Sequence, residues 1–71
     1  MVNFYVYYRA DNGGSSLGPW RSREEARASA MATVTRLNRN GDDMLSEHPS
    51  VGNVHDEWRN GKGHMIQVVE R

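Results

Sequence analysis

Apolar and polar positions alternate from the first residues of the chain. In "VNFYVYYR", Val2, Phe4, Val6 and Tyr8 fall on one side of an extended strand, and Asn3, Tyr5, Tyr7 and Arg9 fall on the other. The run is rich in Val, Phe and Tyr and gives way to "ADNGGSSLGP", whose Asp, Asn, Gly, Ser and Pro favour turns. A first strand over Val2–Arg9 is expected. Leu17–Trp20 reads either as a short extra edge strand or as loop, because Gly18 and Pro19 suit an edge and not a central ladder.

The period then changes from two to 3.6. Ser22 followed by Glu25 forms a capping box, in which the serine oxygen accepts from the third helical N–H and the glutamate reaches back. Ala26, Ala30, Val34 and Leu37, with Thr33 beside them, make one apolar stripe whose alanines let the helix sit close to a sheet. Glu24 and Glu25 suit the positive end of the helix dipole, Arg36 and Arg39 the negative end, and Gly41 the left-handed position that stops a helix. The pattern predicts a helix over Ser22–Asn40.

"GDDMLSEHPSVGN" has no period and reads as a long connection anchored by Met44 and Leu45. After it, "VHDEWR", "NGKG" and "HMIQVVE" read as strand, turn and strand, with Asn60-Gly61 supplying the positive φ angles of a tight hairpin. Met65, Ile66, Val68 and Val69 leave neither face of the last strand polar, as expected of a strand flanked on both sides. The order is β-α-β-β. A right-handed crossover and a hairpin then give an α+β domain, one helix on a three-stranded antiparallel sheet of order 1-3-2.

One helix covers one face of such a sheet. Tyr5, Tyr7 and Arg9 of the first strand, with Met65, Gln67 and Val69 of the last, are left on the other face as the candidate partner-binding residues. His55, Glu57 and Arg59 join them if Val54 and Trp58 face the helix. Tyr, Met and Arg are the residues enriched at the centre of protein interfaces. Trp20 is expected as a lid on the helix–sheet seam, and Met31, off the main stripe, as a second contact or an adaptable filler.

Composition narrows the chemistry. Seventy-one residues make one small domain, of a size that buries only about 60% of its unfolded surface, and such domains often gain core by self-association. There is no cysteine, so disulfides, thiolate metal sites and cysteine nucleophiles are excluded, and a reducing, cytoplasmic setting is expected. No apolar run reaches membrane-span length and no N-terminal signal pattern is present, so no membrane partner is expected. Nine basic and nine acidic side chains cancel, and Lys62 is the only lysine. A balanced charge gives little phosphate affinity, although Arg9, Arg21, Arg23, Arg27 and Arg59 form a candidate local strip.

Asp42, Asp43, Glu47, His48, His55, Asp56, Glu57 and His64 crowd the second half, but none falls into "HExxH" or a calcium-loop spacing. They read as a solvated acidic segment, with His55 and His64 opposed across the hairpin as a pH-sensitive pair. Ser15, Ser16, Ser22 and Ser50 lack a nucleophile-elbow context, "DNGGSSLGP" lacks the lysine of a phosphate loop, and a domain this small offers little pocket for an acid–base pair such as His48 with Asp43. No catalytic residue, metal or cofactor is expected.

"GPWRSREEARASA" resembles the G-P-F/W-x-S-x-x-E-A run that opens a helix in SPOR-type peptidoglycan-binding domains, over Gly18 to about Leu37. The second helix of that fold has no counterpart in the pattern here, and a long turn separates the first strand from Gly18. The expectation therefore rests on the residues themselves: a non-enzymatic protein-binding or self-associating module of accessory or regulatory kind, as in phage or mobile-element proteins. The alternative is a nucleic-acid binder that stacks bases on the sheet-face aromatics.

Overall fold

Five strands and one helix follow one another as β1 (Phe4–Ala10), β2 (Gly13–Trp20), α1 (Arg23–Arg39), β3 (Ser46–His48), β4 (Val54–Arg59) and β5 (Met65–Glu70). This is a computed structural model, and it describes residues 2–10, 13–39 and 44–71. The strands form one sheet of order β2-β1-β5-β4-β3, antiparallel throughout, with α1 on one face. The class is α+β, but the sheet has five strands where three were expected. The three expected strands are its centre, β1-β5-β4, and β2 and β3 extend it on either side.

Both additions come from segments with little sequence signal. The stretch taken for turn and a brief edge return is an eight-residue strand that pairs with β1 from Phe4↔Trp20 to Ala10↔Gly13. Gly and Ser have low β propensity, so the neighbouring strand and not their own preference holds them extended. One residue is bulged within Gly18–Pro19, between the Phe4↔Trp20 and Val6↔Leu17 pairs. Gly18 sits there at φ +129, and a Cβ on it would meet the Phe4 carbonyl at 3.0 Å and the rings of Trp20 and Tyr5 at 3.1 Å. β3 is three residues of the connection that showed no period.

The core lies between α1 and the sheet. Phe4 and Val6 of β1, Ile66 and Val68 of β5 and Trp58 of β4 meet Ala26, Ala30 and Val34 of α1, with Leu45 closing one end and Tyr8, Trp20 and Leu37 at the margin. Two alanines at 0% exposure on the helix stripe let it approach the strands closely. The Ser22 hydroxyl accepts from the Glu25 N–H at 3.2 Å, while the Glu25 carboxylate takes the Ser22 hydroxyl instead of its N–H. Asn40 and Gly41, expected at the helix end, lie outside the described residues, as do Asp11, Asn12, Asp42 and Asp43 of the two polar segments.

Smaller expectations change too. Met44 is 67% exposed, so only Leu45 anchors the connection, its N–H donating to Asn38 Oδ1 at 2.8 Å. Val2 precedes β1 and is exposed, and Met31 is exposed on the helix. The β4–β5 loop spans residues 60–64, longer than a tight Asn-Gly turn. Its positive φ is at Gly63, and Asn60 Oδ1 accepts the N–H groups of Lys62 and His64 at 2.9 and 3.0 Å.

Candidate binding face

The register of β1 against β5 places the six candidate residues in three directly opposed pairs: Tyr5↔Val69, Tyr7↔Gln67 and Arg9↔Met65. Their neighbours Phe4, Val6, Tyr8, Ile66 and Val68 face α1, so these six face away from it. Tyr5, Tyr7, Met65 and Gln67 are half-buried, Arg9 is exposed and Val69 is 7% exposed, closed over by its neighbours within the sheet. The Tyr5 and Tyr7 rings lie 6.4 Å apart, and the Arg71 guanidinium sits 5.4 Å above the Tyr7 ring. Among the described residues, no second layer covers this side.

β4 contributes to the face differently from expectation. Glu57 and Arg59 are opposite Gln67 and Met65, as foreseen. His55 is not on this face and Val54 is: Val54 opposes Val69 while Asp56 opposes Val68, so one extra residue in β4 displaces the alternation. His55 turns instead to the helix side, 5.4 Å from the Phe4 ring and with Nε2 2.7 Å from Glu70 Oε1. It is nowhere near His64, which lies at the opposite end of the hairpin beside Asn60. On the outer strand, Ser46 and His48 oppose Arg59 and Glu57 and complete the face.

The open face is therefore an apolar and aromatic patch of Tyr5, Tyr7, Val54, Val69 and Met65 with charge around it. Arg9, Arg59 and Arg71 stand against one carboxylate, Glu57, among the described residues. Glu57 is already held, by Arg59 Nε at 2.8 Å and Gln67 Nε2 at 2.8 Å. A groove of about 700 Å³ runs along Tyr7, Arg9, Met65 and Gln67 to Gly14 and Ser16 of β2, so a pocket exists where little was expected. β2 creates it by adding a shelf without side-chain bulk beside Tyr7. Arg9 is the only charged side chain among the described residues lining it.

The helix-covered face holds the other charged cluster, which sequence reasoning missed. Asp56, expected in a solvated acidic segment, is 2% exposed. Arg23 Nη2 donates to it at 2.8 Å and Nε at 3.1 Å, Arg27 also donates to it, and Arg27 reaches Glu47 at 3.1 Å while lying 5.2 Å over the Trp58 ring. Burial pushes the Asp56 carboxyl up, but the hydrogen bonds and charges of the two arginines outweigh it and hold the group below its ordinary value. Glu47 and Asp56 together push the Arg27 guanidinium up. Arg23 and Arg27 thus bind β4 to the helix; they are neither part of the candidate strip with Arg9 and Arg59 nor the simply solvated helix flank that was the preferred reading. The one signal was their i, i+4 spacing, which puts both on the flank of α1 beside β4.

Comparison with protein-family models, with curated proteins and with solved structures found no match for this chain. Among the described residues no three carboxylates or histidines converge as a metal site would require, and no helix is long and apolar enough to cross a membrane.

Proposed function

We propose that the protein is a non-enzymatic protein-binding module, an accessory or regulatory part, that docks its partner on the open face of the sheet. The observation that carries this reading is the paired placement of Tyr5, Tyr7 and Arg9 against Val69, Gln67 and Met65 on a face that no layer of the described residues covers. Tyrosine and arginine anchors beside a groove are how a small interface concentrates its binding energy: tyrosine offers a large contact area at low conformational cost, and arginine a planar charged group. A partner side chain entering the groove at Tyr7 and Gly14 supplies the matching anchor.

Charge and size describe that partner. With three arginines against one engaged glutamate, the face suits an apolar surface rimmed by acidic groups. Two copies of the face stacked on each other would set arginines against arginines. Five strands about 4.8 Å apart and roughly six residues long give a footprint near 20 Å by 20 Å, below the ~800 Å² per partner of a stable complex, so the association is transient. The reading takes the cytoplasm as its setting, since a chain without cysteine fits a reducing compartment.

A nucleic-acid strand is the second reading, favoured by Arg71 over Tyr7 and by the excess of arginine on the face. It is opposed by Glu57, a carboxylate on the same face. A photo-reactive phenylalanine analogue at Tyr7 tests both readings, with the same group at exposed Ala32 as control. Protein adducts at Tyr7 that are absent at Ala32 are expected; adducts to nucleic acid, or equal labelling at both sites, would overturn the proposal.

A further inference from the structure

The two edges of the sheet are built differently. β3 is three residues long, carries Glu47 and His48 and is followed by Pro49, which are the usual devices that keep an edge from pairing. β2 has none of them over Gly13–Leu17. This stretch is regular in register against β1, exposed, uncharged and free of proline, with the bulge and Pro19 confined to its far end. Pairing with β1 uses one side of its backbone, and the other side presents N–H and C=O groups to solvent.

We propose that β2 is a self-association edge, at which a second copy of this chain adds its own β2 antiparallel about a two-fold axis. Self-pairing requires a segment compatible with its own reverse, and "GGSSL" is one. Centred on Ser15, it opposes Ser15 to Ser15, Gly14 to Ser16, and Leu17 to Gly13, with no charges facing each other. Leu17 is 52% exposed on the helix side of the sheet, and in this register it lies beside the partner copy's glycine, where there is room for it. The chain's zero net charge does not oppose association.

The edge is the route to self-association that the open face does not offer, because stacking the faces brings the arginines together. Pairing of the edges also joins the two sheets into one of ten strands. Gly14 and Ser16 line the groove beside Tyr7, so the two grooves become continuous across the axis. The pairing stands on backbone groups and does not depend on what the open face binds.

Sedimentation equilibrium over a concentration series tests it. The wild-type chain and the Tyr5→Ser/Tyr7→Ser variant are expected to approach twice the 8.1 kDa chain mass, while Ser15→Lys/Leu17→Lys, changed only at exposed positions, stays at 8.1 kDa. A wild type that remains at 8.1 kDa throughout overturns the proposal, as does a dimer that survives the lysines or is lost with the tyrosines. Amide exchange in the wild type gives a readout independent of any variant. Exchange within Gly13–Leu17 slows as concentration rises if the edges pair, and concentration-independent exchange rejects the pairing. Loss of cross-linking at Tyr7 would remove the open-face reading and leave these masses unchanged.

Discussion

Consecutive residues of β1 and β5 enter two environments. Phe4, Val6, Ile66 and Val68 lie under α1 and are buried, whereas Tyr5, Tyr7, Gln67 and Met65, their immediate neighbours, stay half-buried on a side where, among the described residues, no second layer lies. The charged groups differ in the same way. Under the helix a buried carboxylate is shared by two arginines; on the open side Arg59 holds Glu57, Arg71 lies over the Tyr7 ring and Arg9 is exposed. The covered side packs its residues into the core, and the open side keeps large amphipathic groups partly exposed.

Substitutions one residue apart sharpen this difference. Ile66→Ala empties a site between Tyr8 and Trp58 and is expected to cost about 3 kcal/mol by urea denaturation, a large part of the stability of so small a domain. Gln67→Ala, the next residue, leaves no cavity under the helix and is expected to cost about 1 kcal/mol, through the lost hydrogen bond to Glu57. Equal costs would erase the distinction between the faces.

Asp56→Asn comes next, at about 2 kcal/mol, because it removes the charge that two arginines and the seam between α1 and β4 are arranged around. The same pair sets a pH dependence. The folded Asp56 carboxyl lies below its ordinary value of 3.8, so its contribution is complete above that value and is lost as pH falls through the folded one. Thermal melts should show an acid limb below about pH 4 that Asp56→Asn flattens. An unchanged limb would mean that Asp56 is not the group responsible.

The smallest effect on stability and a large one on binding are expected for Arg9→Glu alone, since Arg9 is exposed and Arg59 is engaged with Glu57. The melting temperature should hold, with a change under about 0.5 kcal/mol, while capture of an acidic-rimmed partner is lost. Capture that survives the reversal would place recognition elsewhere.

The amphipathic elements were legible in the sequence because their periods are local. The alternation of β1, the capped alanine stripe of α1 and the β4–β5 hairpin follow from side-chain direction and capping, and they carry the α+β class and the six face residues with them. Three things were not local. β2 is a strand because β1 is beside it, not because Gly13–Pro19 prefers to be one. The single bulged residue that exchanges His55 for Val54 on the open face changes no composition and leaves no mark in the pattern. Asp56 looked like a member of an acidic loop because its partners, Arg23 and Arg27, lie 33 and 29 residues away, on the flank of a helix where arginine is ordinarily solvated.

The account rests on Tyr5 and Tyr7 serving recognition and not the fold. The direct measurement is to immobilise wild type and Tyr5→Ser/Tyr7→Ser side by side, compare the proteins each retains, and record helix content by circular dichroism. Equal helix content and loss of the retained protein from the variant alone are expected. The same protein retained equally by both, with both folded, would contradict it.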